Sequence, residues 1–196
     1  MGETRIMLVR HPETTANVDG RWVGRGNAAF TELGTAQVGA IVRALDAWGP
    51  EIVWSSPQQR ALEPARKTSL ALGIPHRIDD RLQELDFGAA EGLTFAEAEA
   101  AGIAFDFMAQ NRPVAPGGES RAEIYARTAS ICDEIVASGP TRVAIVTHGG
   151  VFRSALVPLL SLPLEAIWAF HISNAELAEV IVRDGHGMLE RFDVAR

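Results

Sequence analysis

Residues 6–11 read Ile6-Met7-Leu8-Val9-Arg10-His11, a short apolar run that ends directly in two basic residues. Four consecutive apolar residues are typical of a strand that is buried on both faces of a parallel sheet. Two similar runs follow, Ile52-Val53-Trp54 and Val143-Ala144-Ile145-Val146, and His76-Arg77-Ile78 is a weaker candidate. The sequence therefore predicts several parallel strands, of which residues 6–9 form the first.

Helical patterns separate these runs. Apolar residues at spacings of three and four predict two helices, one carrying Val38, Ile41, Leu45 and Trp48, the other Ile124, Thr128, Ile131 and Ile135. Ser120 with Glu123, and more weakly Thr94 with Glu97, form capping-box patterns. Ser56 is interpreted as an N-cap, with Pro57 at the first position of its helix.

The order of these elements predicts the fold class. Strand-helix-strand alternation indicates a three-layer α/β/α sandwich with a mostly parallel central sheet. At the C-terminus, 176–182 and 188–192 flank Asp184-Gly185, which predicts an antiparallel hairpin. We expect residues 1–196 to form a single domain, with the irregular stretch 84–120 as an excursion that covers the site.

Composition restricts the class of protein. Asp and Glu number 25 against 18 Lys and Arg, so the formal net charge is −7, and no basic run predicts a nucleic-acid surface. The sequence shows no signal peptide and no apolar run long enough to span a membrane. The single cysteine, Cys132, fits a reducing compartment. We expect a cytoplasmic protein that binds neither membrane nor nucleic acid.

Polar residues follow each predicted strand at the same edge of the sheet. Arg10 and His11 follow the first strand, Ser55 and Ser56 the second with Arg60 one turn on, and Thr147, His148, Gly149 and Gly150 follow residues 143–146. Ligands bind at such strand ends in open parallel sheets. Arginine and helix N-termini bind phosphoryl oxygens, and a neutral imidazole can attack phosphorus. Each of these residues could alone be structural, but their joint placement predicts a phosphoryl-transfer site.

Five ordered segments carry a family resemblance. They are Leu8-Val9-Arg10-His11-Pro12-Glu13-Thr14 with Asn17; 33–37; Ser55-Ser56-Pro57 with Arg60-Ala61; Leu82-Gln83-Glu84-Leu85-Asp86-Phe87-Gly88 with Glu91-Gly92; and 146–151. Pro116-Gly117-Gly118-Glu119-Ser120 also fits. The chain resembles the histidine phosphatase superfamily, which includes the cofactor-dependent phosphoglycerate mutases, over nearly its whole length.

This resemblance implies a phosphoglycerate mutase-like fold and a role for each matching residue. It implies that His11 is the nucleophile and forms a phosphohistidine, that Arg10, Arg60 and His148 bind the phosphoryl group, and that Glu84 is the general acid. It places Asn17 and Gly24 in a loop that approaches the substrate phosphate, joined by the Gly149 amide. It implies a small phosphorylated substrate and no metal or other cofactor. A homodimer is compatible with it.

Two departures from the family pattern guide the choice of activity. Pro12 replaces a glycine and removes one backbone N–H, and no cation follows Glu84 in Leu85-Asp86-Phe87 to hold a substrate carboxylate. We therefore favour a phosphomonoester hydrolase over a mutase. Residues 84–88 and 162–170 are similar to the α-ribazole phosphatases, so α-ribazole 5′-phosphate is a candidate substrate.

The alternatives to a phosphatase are a cofactor-dependent phosphoglycerate mutase and, from a different class, a catalytically weak pseudoenzyme that binds phosphorylated ligands. Pro12 is the feature that favours the pseudoenzyme. A metallohydrolase is a third interpretation, but no close His/Asp ligand spacing supports it.

Overall fold

A six-stranded sheet lies between the helices of the computed structural model, which describes residues 2–195. Its strands are β1 (Glu3–Arg10), β2 (Ile52–Ser55), β3 (His76–Ile78), β4 (Arg142–Thr147), β5 (Glu176–Arg183) and β6 (His186–Val194). Their order across the sheet is β3-β2-β4-β1-β5-β6. The first four are mutually parallel, whereas β5 and β6 are antiparallel to their neighbours. The predicted parallel sheet and C-terminal hairpin are confirmed.

The helices are distributed between the two faces of this sheet. They are α1 (Thr15–Val18), α2 (Glu32–Trp48), α3 (Gln59–Leu72), α4 (Phe95–Ala100), α5 (Arg121–Ala137) and α6 (Gly149–Leu159), with short 3₁₀ helices at Asp80–Leu82, Gly88–Ala90 and Leu164–Ala169. The buried stripes of α2 and α5 are those that the apolar spacing predicts. The capping boxes at Ser120 and Thr94 are also formed.

Strand β1 shows why the fold has three layers. Ile6 and Leu8 point into a core that they share with α5 and α6, while Met7 and Val9 point into a second core with α2 and α3. Alternate side chains of a strand face opposite sides of a sheet, so a continuous apolar run needs a helical layer on each side. The three-layer α/β/α prediction is therefore confirmed.

The N-terminus of α3 differs from its prediction. Ser56 does not cap the helix, because α3 begins at Gln59 with Gln58 as its N-cap. The Ser56 hydroxyl instead donates to Gln58 Oε1 at 3.0 Å and lies 2.8 Å from His148 Nε2. The cap prediction is wrong because the helix starts two residues later than Pro57 suggested, and the Ser56 hydroxyl bonds to the Gln58 side chain and to His148 at the end of the neighbouring strand β4.

The guanidinium of Arg127, on α5, binds the irregular stretch 84–120. Arg127 donates to both carboxylate oxygens of Glu119, at 2.6 and 2.8 Å, and to the carbonyls of Arg81 and Gln83 at 2.7 Å each. Its Nη2, which also donates to Glu119, reaches the Glu84 carbonyl at 3.3 Å. Arg127 thus joins both ends of the stretch and fixes where Glu84 leaves the core.

None of the helices formed by residues 2–195 combines the length and the apolar character that crossing a membrane requires.

Candidate active site

Two histidines meet at the carboxyl edge of the parallel strands. Arg10 pairs with Thr147 in the register of β1 and β4, so His11 and His148 leave neighbouring strands side by side. The His11 amide also donates to the Thr147 carbonyl at 2.9 Å. The two ring centroids are 5.3 Å apart and the rings are inclined by 58°. The topology therefore brings together the imidazoles that the sequence placed at successive strand ends.

The tautomer of His11 follows from its surroundings. Its Nδ1 lies 2.7 Å from the Pro12 carbonyl oxygen, which can only accept, so Nδ1 carries the proton and Nε2 keeps its lone pair. The side chain is 3% exposed. Burial, together with the charges of Arg60 and Arg10, holds the pKa of His11 well below 6.5. The imidazole is thus neutral and its free lone pair is on Nε2.

His148 has the opposite tautomer. Arg60 Nε donates to His148 Nδ1 at 3.1 Å, and an arginine cannot accept, so the His148 proton is on Nε2 and points to the Ser56 hydroxyl. Burial is the main cause that lowers the pKa of His148, and Arg60 and His11 add to it. His148 is therefore a neutral hydrogen-bond donor that Ser56 and Arg60 hold in position.

Arg60 is buried in the first turn of α3, and its guanidinium is hydrogen-bonded to the 23–26 loop. Nη1 donates to the Gly26 carbonyl at 2.7 Å, and Nη2 donates to the carbonyls of Val23 at 3.0 Å and Gly24 at 2.8 Å. The Gln58 amide also donates to the Gly24 carbonyl. Gly24, which the resemblance places in the loop that approaches the substrate phosphate, thus lies against Arg60 and presents its carbonyl there. Its amide donates to Glu91 Oε2 at 3.0 Å.

Arg10 has an unused donor. Its Nη1 donates to the Ile172 carbonyl at 2.6 Å, whereas its buried Nε has no hydrogen-bond partner among the residues described. A Cβ on Gly149 would lie 3.4 Å from this Nε, so the N-terminus of α6 is within van der Waals distance of the Arg10 guanidinium. A buried N–H without a partner calls for an explanation, and an anion beside Arg10 and the N-terminus of α6 supplies one.

Glu84 is held by backbone amides. Leu85 N–H donates to Oε1 at 2.8 Å and Gly150 N–H donates to Oε2 at 3.1 Å. The residue is 9% exposed and lines the same cavity as Arg10 and Gly149. Its own amide donates to Gln58 Oε1 at 3.0 Å. The carboxyl group is therefore oriented, and not a solvated loop side chain.

Gly150→Ala should displace this carboxyl group. A Cβ at residue 150 would lie 2.4 Å from Glu84 Oε1, too close for both to keep their places. Because misplacing a catalytic group by about 1 Å can cost about 100-fold, we expect any turnover that depends on Glu84 to fall at least tenfold, with little change in thermal unfolding. Gly39→Ala is the control, since its Cβ meets only the flexible Arg43 side chain, at 3.4 Å. Equal activity in the two variants would contradict the assigned position of Glu84.

A cavity of about 700 Å³ opens in front of these groups. Its polar end includes Arg10, Asn17, Glu84, Gly149 and Arg153. The apolar and aromatic residues of its lining are Trp22, Leu85, Phe87, Phe107, Val114, Ile124, Ile167 and Trp168. His11, His148, Arg60 and Gly24 lie behind this surface and are not among its lining residues. The predicted site residues thus form two groups, one exposed to the cavity and one directly beneath it.

Asn17 belongs to the exposed group but is held by hydrogen bonds. Its Oδ1 accepts from the Thr14 amide at 3.0 Å, from the Thr14 hydroxyl at 2.9 Å and from Asn174 Nδ2 at 3.2 Å. Asn174 Nδ2 also approaches the carbonyls of His11 and Pro12 at 3.2 and 3.4 Å. Asn174 therefore links the Asn17 loop to the His11 segment.

Sequence reasoning missed Gln58 and Arg153. Gln58 forms hydrogen bonds with the Gly24 carbonyl, the Ser56 hydroxyl and the Glu84 amide. No local sequence pattern predicts these contacts. Arg153 lies one helical turn after Gly149, and its Nε donates to the Phe170 carbonyl at 2.9 Å. Its spacing of four residues from Gly149 was a usable signal, because residues i and i+4 share a helix face.

No group of three or more His, Cys, Asp or Glu side chains within residues 2–195 is arranged to hold a metal ion.

Comparison with known proteins gives a consistent result. The family model described as histidine phosphatase superfamily (branch 1) matches residues 6–194. A metal-independent phosphoserine phosphatase of Arabidopsis thaliana is 33% identical over 188 residues, covering 92% of this chain and 77% of that protein. A glucosyl-3-phosphoglycerate phosphatase of Mycobacterium tuberculosis is 33% identical over 175 residues, covering 84% and 78%.

A solved structure shows the same fold at lower identity. The crystal structure of the α-ribazole phosphatase from Shigella flexneri superposes with a TM-score of 0.86 at 24% identity, covering 96% of each chain. This likeness concerns the arrangement of helices and strands.

Proposed function

This chain belongs to the histidine phosphatase superfamily, and on that premise we propose that it hydrolyses phosphate monoesters through a covalent phosphohistidine on His11. It is a phosphatase, like the named relatives of that superfamily. The observation that carries the proposed intermediate is the state of His11. Its Nδ1 proton is directed to the Pro12 carbonyl, so its Nε2 keeps the lone pair, and the neighbouring residue Arg10 has a buried Nε without a hydrogen-bond partner among the residues described.

The first chemical step transfers the phosphoryl group. The Nε2 lone pair of His11 attacks phosphorus as the bond from phosphorus to the ester oxygen breaks. Glu84, protonated at that moment, donates its proton to the departing alkoxide, which leaves as an alcohol. The lowered pKa of His11 supports this role, because the nucleophile need not first lose a proton in neutral solution.

The second step releases inorganic phosphate. Water attacks the phosphohistidine, Glu84 accepts a proton from that water, and the P–N electron pair returns to His11. The residues assigned to the phosphoryl oxygens are Arg10, Arg60, His148, Asn17, Gly24 and the Gly149 amide. Since Arg60 is occupied by three carbonyls of the 23–26 loop, its role requires that the phosphoryl group displace at least one of them.

The substrate is a small phosphorylated metabolite. The motifs at 84–88 and 162–170 support α-ribazole 5′-phosphate. The named relatives support phosphoserine or glucosyl-3-phosphoglycerate. The size of the cavity and the aromatic residues of its lining favour a leaving group with a flat or apolar portion over a small leaving group that lacks one.

A substrate panel tests the proposal. We expect the purified protein to release phosphate from p-nitrophenyl phosphate and from one or more of α-ribazole 5′-phosphate, phosphoserine, sugar phosphates and nucleotides. Activity should persist in excess chelator, and loss of activity there would favour the metallohydrolase. Absence of turnover with every ester, together with measurable binding of one of them, would instead establish the pseudoenzyme.

The mutase alternative predicts a different product. Incubation with 3-phosphoglycerate and a bisphosphoglycerate primer should give 2-phosphoglycerate if the chain is a mutase, and glycerate with free phosphate if it hydrolyses that ester. The homodimer and the cytoplasmic location stay predictions.

A further inference from the structure

The cavity contains more positive charge than its single carboxylate balances. Arg10, Arg21, Arg121 and Arg153 line it, against Glu84 alone. Arg21 is neutralised by Glu97, 2.7 Å away. Arg10 and Arg153 lie near Glu84 at the polar end, where the proposed function places the phosphoryl group. Arg121 is left without a role in the proposed chemistry.

Arg121 is a buried cation whose described contacts are all to neutral groups. The residue is 4% exposed and is the first residue of α5. Its Nε donates to the Ala109 carbonyl at 3.2 Å and its Nη2 to the Met108 carbonyl at 2.9 Å. Within residues 2–195 it has no ion pair, and its Nη1 has no hydrogen-bond partner. A buried charge without a counter-charge is costly, so an anion from a ligand would complete this site.

The position of Arg121 separates it from the phosphoryl end. Ile124, one turn further along α5, has its Cδ1 3.5 Å from the place that a Cβ on Gly150 would occupy, and Gly150 holds Glu84. Three residues of helix rise about 4.5 Å. Arg121 therefore lines the same cavity about one helical turn away from Ile124, the residue of α5 that lies beside Gly150.

We propose that the substrate carries a second anionic group, a carboxylate or another phosphate, on its leaving-group side, and that Arg121 binds it. This inference rests on the proposed function and specifies its substrate class. It also revises the expectation from Leu85-Asp86-Phe87 that a carboxylate would find no cation. The cation comes from α5, about 36 residues later, and no local motif links the two segments.

Matched pairs of esters test the proposal. One pair is 3-phosphoglycerate with glycerol 3-phosphate, and another is phosphoserine with phosphoethanolamine, each differing in a carboxylate. Fructose 1,6-bisphosphate with fructose 6-phosphate tests a second phosphate. We expect the wild-type protein to prefer the more anionic member of at least one pair by about tenfold to 100-fold in kcat/KM, mainly through KM, as a charged hydrogen bond supports.

Variants of Arg121 test whether this residue causes the preference for the more anionic ester. In Arg121→Gln the ratio within the preferred pair should fall close to one, and Arg121→Lys should restore part of it. Arg112→Gln is the control, because that exposed arginine of the same stretch pairs with Asp106 at 2.6 Å outside the cavity, and it should keep the wild-type ratio. A wild-type ratio near one in every pair, or an unchanged ratio in Arg121→Gln, would overturn the proposal. Absence of turnover with both members of every pair and with p-nitrophenyl phosphate would instead overturn the proposed function.

Discussion

His11→Ala is expected to lower kcat by at least about 1,000-fold on every ester that the wild-type protein hydrolyses, because it removes the atom to which the phosphoryl group is transferred. The loss should be as large for p-nitrophenyl phosphate as for alkyl esters, since even an activated leaving group needs the nucleophile. His11 is buried, so thermal unfolding is measured alongside to show that the variant is folded.

The matched control is His186→Ala. His186 begins β6, is exposed, and has its Nδ1 3.1 Å from the Asp184 carbonyl, far from the cavity. It should retain wild-type kinetics. Rapid quench in alkaline denaturant, in which the P–N bond survives, followed by mass spectrometry without acid treatment, should detect a phosphoryl group on the peptide that contains His11 in the wild-type protein, and none in His11→Ala. A folded His11→Ala variant with more than about a tenth of wild-type activity would refute the covalent mechanism.

The strength of this prediction depends on how the residues around His11 were found. Strand β1 and its two basic successors could be predicted because the apolar run and the residues after it are contiguous in sequence. That His11 and His148 are neighbours also followed, since adjacent parallel strands end at the same edge. The proton on His11 Nδ1 could not be predicted, because it depends on the orientation of the Pro12 carbonyl.

Contacts between distant segments explain what sequence reasoning missed. The sequence predicted that Arg60 converges with His148 at one edge of the sheet, and its Nε donates to His148 Nδ1, but its three bonds to the 23–26 loop depend on how that loop folds back. Ser56 was interpreted as an N-cap from local preference, yet its hydroxyl is hydrogen-bonded to His148, 92 residues away in the sequence. A hydrogen bond to a distant residue overrides local propensity where a buried polar group has such a partner. Buried polar networks are therefore the part of this protein that periodicity describes least well.

Glu84 is the residue for which the structure adds most to the sequence, and Glu84→Gln is the second variant with a large expected effect. The substitution keeps the size of the side chain but removes the proton that the leaving alkoxide needs. We expect kcat/KM for alkyl esters such as glycerol 3-phosphate to fall by about 100-fold to 10,000-fold. For p-nitrophenyl phosphate, whose leaving group is a weak base, the fall should be less than about tenfold.

The comparison uses kcat/KM because that constant reports the steps up to release of the alcohol or phenol and excludes hydrolysis of the phosphohistidine. Glu84 also activates water in the second step, so Glu84→Gln should accumulate the phosphorylated protein and show a burst of one equivalent of nitrophenol. Glu99→Gln, an exposed carboxyl on α4, is the control and should behave as wild type.

The geometry of the site decides how the result is interpreted. Two amides, from Leu85 and Gly150, donate to the two oxygens of Glu84. Glutamine offers one oxygen in their place, so the variant loses one of these bonds and could shift. A shifted side chain and a side chain without its proton both fail to protonate a basic leaving group, so each should slow glycerol 3-phosphate more than p-nitrophenyl phosphate, and Gly150→Ala should show the same selectivity. Equal slowing of glycerol 3-phosphate and p-nitrophenyl phosphate would therefore remove Glu84 as the acid. A ratio that grows with the basicity of the leaving group establishes it.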